Sequence, residues 1–453
     1  MANLYPRRRS IFSGLLLILI GALLLARTLG GSSAIWNVLW RWWPLVFIVW
    51  GLAKLYDHFI AQRTGETAPP TISAGEILLV FLLLGVIGGT WIRDWGGTHF
   101  DFSDTDWPFT ESYSFTEDVP AQKAPANAHI VLRTTRGSIT VHAEDAPEIK
   151  VSAQKSAHGE NEQDAKSRAD RVHVAITQSD SDYIVEPQGE NDSGGTVAVD
   201  LDVRVPMGAT INAQTSRGNV DITGAGGNVA VTGQSGDVAV RQTGGDVSIQ
   251  SHSGSVTVTG AGGLVRVSGR GNGVEVSDAK GVVTVDGEFY GPLRFARLPK
   301  GVHFVSRRSD MSVGSLAGRV EINGPGDMTI ADAPGDVTLT TSERDLSLEN
   351  VTGRIHVENN GGNVTLQLSQ PPSEPIEVSN KTGDIDITLP AKSNFEVAAR
   401  ADRNGQINCD FSELESKIER MRSEVVLNGT IGSHGPKLQL YTTIGTIRLH
   451  KGQ

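Results

Sequence analysis

The sequence predicts a chain in two parts: an N-terminal α-helical membrane domain, then an all-β domain wound as a parallel β-solenoid, or β-helix, from nine-residue G-x-V-x-V repeats. Three observations carry the prediction. All eight Trp of the 453 residues lie at or before Trp107. The long apolar stretches are confined to the first hundred or so residues. From Gly218 onward a Val recurs every nine positions, at Val220, Val229, Val238, Val247, Val256, Val265, Val274 and Val283, with a second Val or Ile two positions after each. A period of nine containing a period of two is one short strand plus one tight turn, which marks a stack of like units.

The first apolar stretch, Ile11–Leu29, is interrupted only by Arg27, and at about 1.5 Å per residue it is long enough for a bilayer core. Further spans are predicted at 42–58 and 72–92, so residues 1–95 read as three transmembrane helices. Arg7, Arg8 and Arg9 precede the first span, Lys54 lies in the last residues of the second, and Arg63 follows it. That excess of positive charge puts the N-terminus in the cytoplasm, and an odd number of spans exports everything after Trp95. Gly85 and Gly89 form a GxxxG that allows close helix packing, within one bundle or in a homodimer.

Residues 96–120 read as a solvated linker. Residues 121–205 alternate loosely and contain one helix-like insertion near Glu162–Arg171, as expected of an irregular β cap. Residues 206–453 are the solenoid, with an irregular insert at 286–317 and a second short helix at Phe411–Arg422. In the regular run the recurring Val and Ile face the core, while Asp221, Ala230, Ala239, Ser248, Thr257, Arg266, Glu275 and Thr284 face outward. Gly opens each strand because the corner needs a positive φ or a tight approach. The phrase returns from GRVEI at Gly318 to GTIRL at Gly445, by way of RDLSL at Arg344. Two units per coil make 18 residues and three make 27; the repeat is compatible with a two-sided and with a three-sided coil.

Composition narrows the chemistry. With 40 Lys+Arg against 51 Asp+Glu and a net charge of −11, the chain lacks the basic footprint of a nucleic-acid binder. A single cysteine, Cys409, excludes a disulfide framework, a zinc cluster and a redox pair. Asp237, Asp246, Asp327 and Asp336 follow Gly directly, but sister units place Asn219, Asn228, Ser255 or Leu264 there, which leaves a calcium column incomplete. Outward positions are mostly Ala, Ser and Thr, and His252 beside Ser253 has no third partner, so neither catalysis nor a metal or other cofactor is expected. The insert is the one distinctive patch. It gathers Arg294, Arg297, Lys300, Arg307 and Arg308 with Phe295 and Phe304, a combination that suits an acidic glycan, a lipid headgroup or an acidic partner surface. The same residues also suit longer strands that bury their aromatics and shed their charges to the surface.

Through IVLRTTRGSITVHAEDAPEIKVSAQK, VDLDVRVPMGATINAQTSRGNVDITG and the GDVxV units, residues 121–450 resemble the bacterial adhesin-type family of β-strand-repeat domains. Through Gly14, Gly21, Trp43-Pro44-Leu45 and Gly51-Leu52, the membrane half is similar to the transmembrane region of Lia-type envelope-stress proteins, which often has four spans. The resemblance implies a non-enzymatic protein of the bacterial cytoplasmic membrane. Its exported solenoid would act as a binding or structural surface for cell-wall or surface glycan. The alternative it implies is a regulator acting on a membrane histidine kinase.

Overall fold

Strands of four to eight residues dominate because each nine-residue unit spends about half its length crossing one sheet and the rest turning toward the other. In a computed structural model of the protein, Val220 pairs with Val238 and Val238 with Val256 in a first sheet, while Val229 pairs with Val247 and Val247 with Val265 in a second. Every pairing in this run is parallel and joins residues eighteen positions apart, so two units make a coil and the solenoid is two-sided. The residues described are 111–189, 197–323, 326–402 and 405–452. The predicted spans at 11–29, 42–58 and 72–92 and the Gly85–Gly89 pair lie outside them. Among the described residues, no helix is long and apolar enough to cross a membrane.

All sixteen Val and Ile expected to face inward between Val220 and Val285 are buried between the two sheets. At about 1.5–3 kcal/mol each they supply a few tens of kcal/mol, shared along the stack. The corners explain the glycines. Gly218, Gly236 and Gly254 have φ of 136°, 132° and 95°, and a Cβ on Gly236 or Gly254 would overlap the carbonyl oxygen of the glycine one coil earlier. The residues after them form a ladder: Asp237 N–H donates to Asn219 Oδ1 (2.9 Å), and Ser255 N–H to Asp237 Oδ1 (2.7 Å). On the opposite edge Asp246 N–H donates to Asn228 Oδ1 (2.9 Å) and Leu264 N–H to Asp246 Oδ1 (2.8 Å). Asn and Asp stand after Gly because each accepts a corner amide that the strand ladder does not reach.

The insert contains one coil that runs backwards. Val302–Val305 makes a hairpin with Ser309–Val313, and Leu316–Ile322 lies antiparallel to both Leu293–Leu298 and Met328–Ala331. The parallel sequence then resumes, Met328 pairing with Leu346 and Val337 with Ile355. Near the C-terminus the order departs from the chain. Lys437–Ile444 lies between Ile376–Thr382 and Phe395–Asp402, and Thr446–Lys451 between Ile385–Leu389 and Gln406–Cys409.

Both ends are closed. The strand Glu111–Lys123 forms one edge of the first sheet, antiparallel to Glu148–Gly159, so the end of the expected linker, from Glu111 onward, belongs to the β domain. Its register shifts between Val119 and Gln122, around Pro120. Helix α1, Glu162–Ala169, starts at Asn161, whose Oδ1 accepts the Asp164 N–H (2.9 Å), and buries Ala165 and Ala169. At the other end helix α2 is only Ser412–Glu415 and is followed by an edge strand, Ile418–Arg420. The apolar spacing read as one helix over Phe411–Arg422 is split between them, because Ile418 pairs with Leu427 on the second sheet. Phe411 and Leu414 close the core, the Phe411 ring edge-on to Phe395 at 5.3 Å and 81°.

Candidate binding surfaces

With the core filled, what remains for function is the outer face of each sheet and the two edges. Outward positions of the first sheet carry charges arranged in pairs. Arg241 Nη1 lies 2.7 Å from the Asp221 carboxylate one coil before it, and Arg448 Nη1 lies 2.8 Å from Asp384 and 3.0 Å from Asp386. Arg294 stands in register between Glu275 and Glu321. The second sheet over the first run is mostly neutral and polar at its outward positions Asn212, Gln214, Ala230, Thr232, Ser248, Gln250, Ser268 and Thr284, but Arg266 stands in register between Ser248 and Thr284, and Asp286 beside Ser268.

The structure does not bring the predicted patch of the insert together. Phe295 and Phe304 are 0% and 2% exposed and belong to the core, so neither is a contact residue. They fill the space between sheets where the repeat changes direction. Arg294 and Arg297 lie on the strand Leu293–Leu298 of the first sheet, and Lys300 on the turn that follows it. Arg307 and Arg308 lie in the hairpin of the second sheet. Arg297 is engaged in a corner: its Nε and Nη2 each donate to a carboxylate oxygen of Asp278 at 2.6 Å, and both residues have positive φ, 52° and 58°. Those hydrogen bonds hold the Asp278 carboxyl below the usual carboxylate range. The Arg307 amide donates to Glu288 Oε1 (2.7 Å). Lys300 and Arg308 are exposed.

Two charged residues that sequence reasoning missed are structural. Arg344, 6% exposed, occupies the corner where sister units have Gly; its Nε donates to Ser309 Oγ (3.1 Å) and its Nη1 to the Gly326 carbonyl (3.3 Å). It thereby ties the two hairpins of the backward coil together. Burial, then the charge of Arg308, lowers its pKa below the usual arginine range. An Arg at the repeat's Gly position was the available signal. Lys155, also buried, pairs with Glu117 Oε2 (2.8 Å) and donates to the Ala169 carbonyl (3.2 Å), which fastens the first strand and α1 to the cap. Burial by itself would raise the Glu117 pKa, but hydrogen bonds from Lys155 and the Val174 amide outweigh it and the net shift is downward. Cys409 is half-buried on an edge strand, and burial raises its thiol pKa. Among the described residues, no three His, Cys, Asp or Glu side chains group so as to hold a metal ion.

Residues 127–262 and 273–450 match the family described as Toastrack DUF4097, which is more than half of the chain. The chain belongs to the Toastrack DUF4097 family. The gap between the two matched segments, residues 263–272, falls within the regular run, on the strand Val265–Gly271. Residues 12–102 match the LiaF transmembrane domain, so a membrane domain precedes the Toastrack domain. No curated protein matches the chain. Among solved structures it is similar to a "putative cell adhesion protein" from Clostridium sporogenes, at 8% identity and a TM-score of 0.18, covering 76% of this chain and 100% of that one. It is also similar to a "putative adhesin" from Bacteroides fragilis, at 11% identity and a TM-score of 0.17, covering 74% of this chain and 97% of that one.

Proposed function

We propose that this is a non-enzymatic bacterial envelope protein whose N-terminus lies in the cytoplasm and whose membrane helices anchor an exported Toastrack domain that serves as a binding surface. The observation that carries the reading is the union, in one chain, of a LiaF transmembrane domain with a stack whose outer faces offer paired charges and neutral polar groups. Such faces recognise by many weak contacts repeated along the stack, and the partner class they suit is cell-wall or surface glycan. The LiaF match favours one second reading, a regulator that contacts a membrane histidine kinase.

In-membrane crosslinking of the full-length protein, with residues 111–453 as a parallel soluble bait, separates the two. Wall or surface material captured by both forms supports the binding surface. A histidine kinase captured by the full-length form alone supports the regulator. Capture of neither overturns both readings.

A further inference from the structure

The mostly neutral outward face of the second sheet ends in a groove. Strand Asp182–Gln188 pairs with His129–Arg136 only from His129↔Asp182 to Leu132↔Val185, then keeps to its other neighbour, with which it still pairs at Gln188. Where the first pairing stops, Glu186 and Pro187 flank a groove of about 320 Å³, a volume within the range of small-ligand sites. Its floor is the ends of three parallel strands that carry Thr135, Gln214, Thr232 and Gln234. Arg133 and Glu186 face each other across it at 3.7 Å. The hydroxyls of Thr134 and Thr215, also at the groove, are turned inward onto backbone carbonyls of Val199 and Gly137 and are not available.

We propose that this groove seats the end of a neutral, hydroxyl-rich polymer, a glycan strand, which then runs across the coils over Ser248, Gln250, Ser268 and Thr284. The proposal rests on the binding-surface reading and gives it a place and a ligand class. Hydroxyl and amide side chains each donate and accept, as sugar hydroxyls do. Arg133 and Glu186 neutralise one another, so the groove offers an anion no net charge, yet the guanidinium keeps donors and the carboxylate keeps acceptors for a pair of adjacent hydroxyls. Pro187 is the one apolar side chain among the lining residues, which disfavours an apolar peptide. Parallel strands repeat about every 4.8 Å, and the row Gln214, Thr232, Gln250, Ser268 sets a hydroxyl or amide at each step before it reaches Asp286, as a periodic polymer requires.

The test uses full-length protein in lipid nanodiscs, passed over a panel of immobilised neutral glycans (dextran, laminarin, cellohexaose, chitohexaose) and anionic ones (heparin, polygalacturonate), and over isolated bacterial envelope material. The expected result is retention on at least one neutral glycan, weakened tenfold or more by Gln214→Ala with Thr232→Ala and abolished by Thr232→Lys. Lys166→Ala on the cap helix α1 should leave it unchanged, and hydrogen exchange should show each variant folded. Retention on anionic glycans alone, or on none, overturns the proposal. Neutral-glycan or envelope retention that the groove variants leave unchanged overturns the groove but leaves the binding-surface reading standing. Failure to be retained on envelope material overturns that reading, and the groove with it.

Discussion

The two runs of the solenoid solve the same stacking problem with different corners. Between Gly218 and Val285 the chain adds coils strictly in order, turning on Gly and tying successive corners with Asn and Asp. Between Met328 and Lys451 the same inward pattern is carried by larger residues such as Leu346, Leu348, Ile355 and Ile385, a buried Arg344 takes a Gly corner, and buried Asn359 and Asn380 donate to carbonyls of Arg344 and Gly362. The last coil of this run is also inserted out of chain order. The comparison teaches that the inward alternation builds the stack whether or not a corner is Gly and whether or not the coils are added in chain order.

The largest test of that difference is removal of residues 437–453. Leu438, Leu440, Ile447 and Leu449 leave the core with it, at about 1.5–3 kcal/mol each, and the strands on either side lose their common partner. Hydrogen exchange should show protection lost from about residue 376 to the C-terminus while residues 218–285 stay protected. Equal loss in both runs would mean that the stack unfolds as one cooperative unit. Next is Arg344→Ala, which removes the donors to Ser309 Oγ and the Gly326 carbonyl; hydrogen bonds from a charged donor set the expected cost at about 1.5–3 kcal/mol in a denaturant titration. Arg344→Gly restores the corner of the first run and should recover none of that loss, since the tie between hairpins is still missing.

In the first run, Gly236→Ala should cost about 1–3 kcal/mol, because φ is 132° and the new Cβ meets the Gly218 carbonyl. Gly233→Ala, three residues earlier, is the control: the nearest atom to its Cβ is Val238 Cγ2 at 3.6 Å, so little change is expected in melting temperature. A smaller effect, about 0.5–1.5 kcal/mol, is expected for Asp237→Ala, which leaves the Ser255 amide without its acceptor. The smallest concerns the cap. The Glu117 pKa is lowered in the folded state, so its pairing with Lys155 contributes stability that is present above the ordinary glutamate pKa and lost as pH falls through the folded value. Acidification should therefore raise hydrogen exchange over residues 111–123 before it reaches residues 218–285, and Glu117→Gln should remove that early step.

The inward and outward assignment was legible because a period of two inside a period of nine leaves a strand one choice of face, as Val220 to Val285 demonstrate. The number of sides was not legible, since 18 and 27 are both multiples of the unit and only pairing such as Val229 with Val247 decides. The backward coil was legible only as an interruption, because Phe295 and Phe304 report a filled core and say nothing of strand direction. The basic residues are spread for a related reason: nearness in sequence is not nearness on a solenoid, where Arg297 lies on a strand of the first sheet and Arg307 in a hairpin of the second. The groove was hidden because its wall, Glu186 and Pro187, meets its floor from strands that start more than fifty residues upstream and extend more than forty downstream.

The capped ends have a mechanical consequence. The strand that continues directly from residue 110 is the first of sixteen in its sheet, and Gln406–Cys409 is the last, so fifteen spacings of about 4.8 Å separate them by roughly 70 Å. Among the described residues, α1 buries Ala165 and Ala169 at one end of the stack and α2 buries Leu414 at the other. The domain is thus a strut of set length. A partner seated near its far end is held at a distance fixed by strand count, with none of the entropy loss that stretching a flexible tether to the same span would impose.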